Sequence, residues 1–165
     1  MGKQLTADDA RQSLNAHVES KGAEIFAKFG PRIGFNELEA VLGDRSCVRY
    51  PCALDFDASG LQPGEFAHAE AKGELPEHGY ALHIHPIFST RPAMVPYLAL
   101  YHLVTVNYGE FASSDDAETF ASAALGLDRE LYYQALCALA DEIAVEAGAP
   151  EGHDPGSPGS CTCGG

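Results

Sequence analysis

Tyr80-Ala81-Leu82-His83-Ile84-His85 is the stretch on which the reading of this fold turns. Tyr80, Leu82 and Ile84 alternate with Ala81, His83 and His85, the period of a half-buried β-strand. Strand side chains alternate between faces, so His83 and His85 share the face opposite Leu82 and Ile84. The same period runs back through residues 47–87. Val48, Tyr50, Cys52, Leu54 and Phe56 alternate with Arg49, Pro51, Ala53, Asp55 and Asp57. Ala58-Ser59-Gly60 and Gln62-Pro63-Gly64 are turn material, and residues 73–79 form a second loop. Strands are thus predicted over residues 47–57, 65–72 and 80–87. Successive strands usually pair, which predicts a three-stranded antiparallel sheet with Pro51 on an edge strand.

Helical patterns flank this region. Thr6 is placed to cap a first helix, with Asp8 and Asp9 in the turn where negative charge complements the helix dipole. Ala10, Leu14, Val18, Ile25 and Phe29 form its apolar stripe, and Gly30-Pro31 ends it. Asn36 is read as the cap of a short second helix that closes at Gly43. Beyond the strands, Pro92 and Pro96 suit a first helical turn, and Gly109 is the stop. That helix is apolar almost all round, which predicts a central buried element. Tyr97, Tyr101, His102 and Tyr108 on it read as core residues rather than ligands. Ser113 or Ser114, followed by Asp115 and Asp116, caps the next helix, and Asp128 caps the last, whose stripe is Leu131, Ala135, Leu139 and Ile143. The expected class is α+β: two N-terminal helices, the sheet, and three C-terminal helices. Residues 1–147 are expected to form one domain. Residues 148–165, rich in Gly and Pro and ending near Cys161-Thr162-Cys163, are expected to be a flexible tail.

The net charge of −14 arises entirely after residue 49, because residues 1–49 carry equal numbers of basic and acidic side chains. Only Lys72, Arg91 and Arg129 are basic in the remainder. Phosphate backbones need clustered Lys and Arg, so nucleic acid is excluded as a partner. Cations or a basic protein partner suit such a surface. No run is long and apolar enough for a membrane span, and no leader-like segment opens the chain, so a cytoplasmic location is expected. Five cysteines, an odd number, argue against a disulfide scaffold. Cys137 reads as a small core residue; Cys161 and Cys163, with His153, could hold a soft metal in the tail.

Laid side by side, the strands put Leu54, Phe56, Ala67, Ala69, Leu82 and Ile84 on a core face. They put Asp55, Asp57, His68, Glu70, His83 and His85 on the other. Imidazole suits first-row transition metals, and facing strand residues stand only ~4.5–5.5 Å apart at Cβ. His83 and His85, joined by His68 and Glu70, are therefore the candidate ligands of a divalent transition metal, zinc being one that fits. His68 depends on register, since a slip of one residue turns it to the other face. The chain has no His-Glu-x-x-His, phosphate loop, dinucleotide glycine pattern or Gly-x-Ser-x-Gly elbow. A small soluble metal-binding protein is the leading expectation. The alternatives are an interaction module that offers its acidic surface to a basic partner, and a hydrolase-type enzyme using the metal to activate water.

Overall fold

The computed structural model describes residues 6–146. Among them are helices α1 (Ala7–Phe29), α2 (Phe35–Gly43), α3 (Val95–Tyr108), α4 (Ser114–Leu125) and α5 (Arg129–Glu146). The strands are β1 (Cys52–Asp55), β2 (Ala67–Ala71) and β3 (Tyr80–Ile84). The class is α+β. Short 3-10 segments also punctuate the described chain, so its helical pieces do not reduce to two before the sheet and three after it. The predicted tail of residues 148–165, with His153, Cys161 and Cys163, lies outside the described residues.

The sheet is mixed, not the antiparallel meander that strand adjacency predicts. Its order is β1-β3-β2. The central strand β3 pairs antiparallel with β2 and parallel with β1. The connection between β1 and β2, residues 56–66, is too long for a tight hairpin turn. It passes over the polar face of β3, where Gly60 rests on the ring of His83, and delivers β2 to the far side of β3.

Strand β1 is also shorter than its alternating pattern. Val48 donates its N–H to the Asp44 carbonyl at 2.9 Å, and Arg49 donates to Asn107 Oδ1 at 2.9 Å. Asn107 Nδ2 donates in turn to the Cys47 carbonyl at 2.9 Å. A buried asparagine at the end of α3 thus satisfies backbone groups that a sheet partner would otherwise have to meet. Pro51 precedes β1, an edge strand, and its carbonyl accepts the Tyr80 N–H at 2.8 Å. Gly79 makes that approach with φ +92°; a Cβ there would lie 2.9 Å from the Pro51 oxygen.

Helix caps follow local chemistry. Thr6 Oγ1 accepts the Asp9 N–H at 3.1 Å while Asp9 Oδ2 accepts the Thr6 N–H at 3.1 Å. Ser113 and Asp116 make the same reciprocal pair at the start of α4, and Gly126 ends that helix in the left-handed conformation. The cap of α2 is Gly34 rather than Asn36. Glu37 reaches back to accept the Gly34 N–H at 3.1 Å, so Asn36 falls inside the first turn.

Helix α3 packs on β2 and β3 along one side and on α4 and α5 along the other. Leu98, Leu100, Leu103, Val104 and Val106 are all buried, as a helix with no polar face requires. Leu82, Ile84 and Ala67 form the sheet's contribution to the same core. Helix α1 lies against α4 at close range. A Cβ on Gly22 would stand 2.5 Å from the Phe120 carbonyl oxygen and 2.8 Å from the Ala123 Cβ. No described helix is long and apolar enough to cross a membrane.

Two stability changes follow from this packing. Leu103 is 0% exposed, so Leu103→Ala is expected to cost about 2–5 kcal/mol in denaturant unfolding; a loss well under 1 kcal/mol would place α3 at the periphery. Gly22→Ala removes a glycine that costs a helix about 1 kcal/mol. The new methyl meets rigid backbone, and such overpacking costs about 1–3 kcal/mol. Sterics are expected to win, with a lower melting temperature for Gly22→Ala.

Candidate metal centre

His83 sits at the middle of the sheet. Strand register sets Asp55 beside it on β1 and His68 beside it on β2. Its neighbours Leu82 and Ile84 turn into the core, which forces His83 to the opposite face. Yet His83 is only 8% exposed. The crossover between β1 and β2 accounts for this, because Gly60 lies against the ring. A Cβ at Gly60 would be 2.8 Å from the His83 Cδ2, so the approach demands glycine.

The two imidazole nitrogens meet different surroundings. Nε2 lies 2.7 Å from Glu70 Oε2, a hydrogen bond. Nδ1 is closed to solvent and has no hydrogen-bond partner. Its carboxylate neighbour Asp55 Oδ2 stands 3.7 Å away, too far for a hydrogen bond. Asp57 completes the group: Asp55, Asp57 and His83 place ligand-type atoms within 4.8 Å of one another. Two donors at ~2.0–2.2 Å from one tetrahedral ion stand roughly 3.4 Å apart, so spacings of this order suit a shared cation.

Asp57 is held in place. Its Oδ1 accepts the Ser59 N–H at 2.9 Å and its Oδ2 accepts the Ser59 hydroxyl at 2.8 Å. The backbone bond first, then the hydroxyl, keep its carboxyl below the ordinary aspartate range, and His83 adds a smaller push in the same direction. Asp57 is therefore a carboxylate at neutral pH, and each oxygen keeps a further lone pair.

Of the four residues expected to converge, the structure brings two into contact, His83 and Glu70. His68 is in register opposite His83, with no slip. Its ring instead lines a cavity of about 270 Å³ with Glu65, Tyr101 and His102, and its Nδ1 is 3.9 Å from Glu65 Oε2. His85 falls just past β3, where its Nδ1 accepts the Ile87 N–H at 3.2 Å and caps the 3-10 segment Pro86–Thr90. Asp55 and Asp57 were expected on the polar face but not among the ligands. A usable sign was Asp57-Ala58-Ser59, an aspartate placed to bond the backbone two residues on.

No protein-family model matches this chain, and neither does any curated protein or solved structure. The residues themselves must carry the functional reading.

Among the described residues, the tyrosines of α3 make ring contacts within the fold. Tyr97 stacks on Tyr132 at 6.2 Å between centroids, and the Tyr132 hydroxyl donates to the Tyr97 carbonyl at 2.6 Å. Tyr101 meets Phe66 and His102 edge-on, and Tyr108 meets His17. Burial pushes the Cys52 thiol up to about 11, so it offers no thiolate near neutral pH.

His102 makes a separate prediction. Its Nε2 is closed to solvent without a hydrogen-bond partner. Burial first, and then the nearby His68, lower its pKa from 6.5 to about 4. The unfolded chain therefore takes up this proton before the folded one does. The stability held by neutral His102 is complete above the unfolded value of 6.5 and drains away as pH falls towards 4. The loss should be about 1–3 kcal/mol. Denaturant unfolding of wild type and His102→Leu across this window should show the slope in wild type and a shallower one in the variant. Parallel curves would mean that His102 is protonated equally in both states.

Proposed function

We propose that this protein binds a divalent transition metal through His83 Nδ1, Asp55 and Asp57. One observation carries the reading: a buried imidazole nitrogen without a hydrogen-bond partner, 3.7 Å from the Asp55 carboxylate, on a histidine that clusters with Asp55 and Asp57. Leaving such a nitrogen unpaired costs about 1–3 kcal/mol, and two neighbouring carboxylates repel. A bound cation relieves both. One nitrogen and two carboxylate donors suit zinc, cobalt or manganese better than a soft monovalent ion such as Cu(I).

Three protein ligands leave a coordination position open, which is the arrangement of catalytic rather than structural zinc. A hydrolase-type activity is therefore the enzyme reading that this site favours. The interaction-module reading rests on the surplus of acid after residue 49, which a basic protein partner would match.

Metal analysis separates the metal-binding and hydrolase readings from the interaction module. Protein purified without a histidine tag is expected to hold, or after chelation to take up, a single zinc or cobalt ion per chain at neutral pH. His83→Ala and Asp57→Ala should abolish stoichiometric uptake, while His85→Ala should leave it unchanged. Wild-type protein that takes up no metal would end the proposal and put the acidic interaction surface first. Uptake lost in His85→Ala but kept in Asp57→Ala would move the ligand set back to the paired histidines.

A further inference from the structure

We infer that Glu70 is the positioning residue of this centre: it holds the His83 imidazole with its proton on Nε2, so that the bare Nδ1 faces Asp55 and Asp57. The inference deepens the metal-binding reading and rests on it for its purpose. The protonation pattern itself can be measured without any metal.

The geometry starts from the ladder. Glu70 pairs with Ala81, two residues before His83 on the same face of β3, so Glu70 and His83 are diagonal cross-strand neighbours. A diagonal of ~7–8 Å is within reach of a long side chain, which an aspartate at this position would fall short of. Glu70 Oε2 reaches Nε2 at 2.7 Å. A carboxylate only accepts hydrogen bonds, so this contact places the proton on Nε2. A neutral imidazole carries one N–H, so Nδ1 is left with its lone pair. That nitrogen is the one with no hydrogen-bond partner and lies 3.7 Å from Asp55 Oδ2, on the residue that clusters with Asp55 and Asp57. The ring is also stopped by Gly60, where there is no room even for a methyl group. Metal-binding histidines commonly donate their second N–H to a carboxylate in this way, which fixes the ring and raises the basicity of the ligating nitrogen. The opposite tautomer would turn the lone pair of Nε2 towards the Glu70 carboxylate at 2.7 Å.

The Glu70 side chain is 60% exposed, so replacing it leaves the core untouched. The test uses the full chain labelled with ¹⁵N and freed of metal at pH 8, with long-range proton–nitrogen correlations reporting the tautomer of His83. Wild type should show a protonated Nε2 and a bare Nδ1. Glu70→Ala should lose that preference, and Glu70→Gln, whose amide oxygen still accepts, should restore it. Zinc affinity, measured by competition with a chromophoric chelator, should fall by roughly 10–100-fold in Glu70→Ala, with partial recovery in Glu70→Gln. A wild-type His83 protonated on Nδ1 would overturn the inference. So would a Glu70→Ala variant with an unchanged tautomer and unchanged zinc affinity, even though the metal centre would then stand. If wild type takes up no zinc, the metal-binding reading falls. The tautomer comparison then decides alone whether Glu70 sets the ring.

Discussion

Helix α3 has apolar side chains on every side, and water must be kept from all of them. Leu98, Leu100, Leu103, Val104 and Val106 point in too many directions for one contact surface. The sheet covers one side through Leu82, Ile84 and Ala67, and α4 and α5 cover the other. Helix α1 is then drawn onto α4 at a distance that only a glycine at position 22 allows. The rest of the architecture is arranged to complete this burial. Even the polar Asn107 at its end is spent on tying residues 47–49 to the helix.

The strand that closes α3 from below is also the one that carries His83. Because strand side chains alternate, burying Leu82 and Ile84 places His83 on the opposite face of the sheet. An ordinary half-open sheet would leave it in water. The crossover from β1 to β2 covers it instead, setting Gly60 against the ring and Asp57 nearby. A buried histidine nitrogen without a partner is costly, and native structures rarely retain one without cause. Here the nitrogen lies beside a carboxylate, in a chain whose acid surplus arises entirely after residue 49.

His102 is the useful contrast. Its Nε2 also lacks a hydrogen-bond partner, but its ring stands edge-on to Phe66 and Tyr101. Its neutral form is held by burial, and it belongs to the packing of α3. His83 differs because a carboxylate already occupies one nitrogen, another stands 3.7 Å from the other, and Asp57 joins the cluster. That asymmetry, rather than burial, makes His83 the candidate ligand.

Local pattern by itself determined much of this protein. The Thr6 and Ser113 caps, the stop at Gly126, the buried character of α3 and the alternation that puts His83 opposite Leu82 and Ile84 are set by neighbours in the chain, within a turn or a strand's length. The α+β class follows from the same periodicities. The tertiary structure alone decided the strand order, because an eleven-residue-scale connection such as residues 56–66 can turn back beside its own strand or cross to the far side of the next, and no local period distinguishes the two. That choice set the candidate ligands as well. It laid Gly60 against His83 with Asp57 nearby, left His68 lining a cavity beside α3, and ended β3 before His85, whose ring caps the next turn. Side-chain convergence of this kind depends on where backbones cross in space, so it became visible only once the crossover was in place.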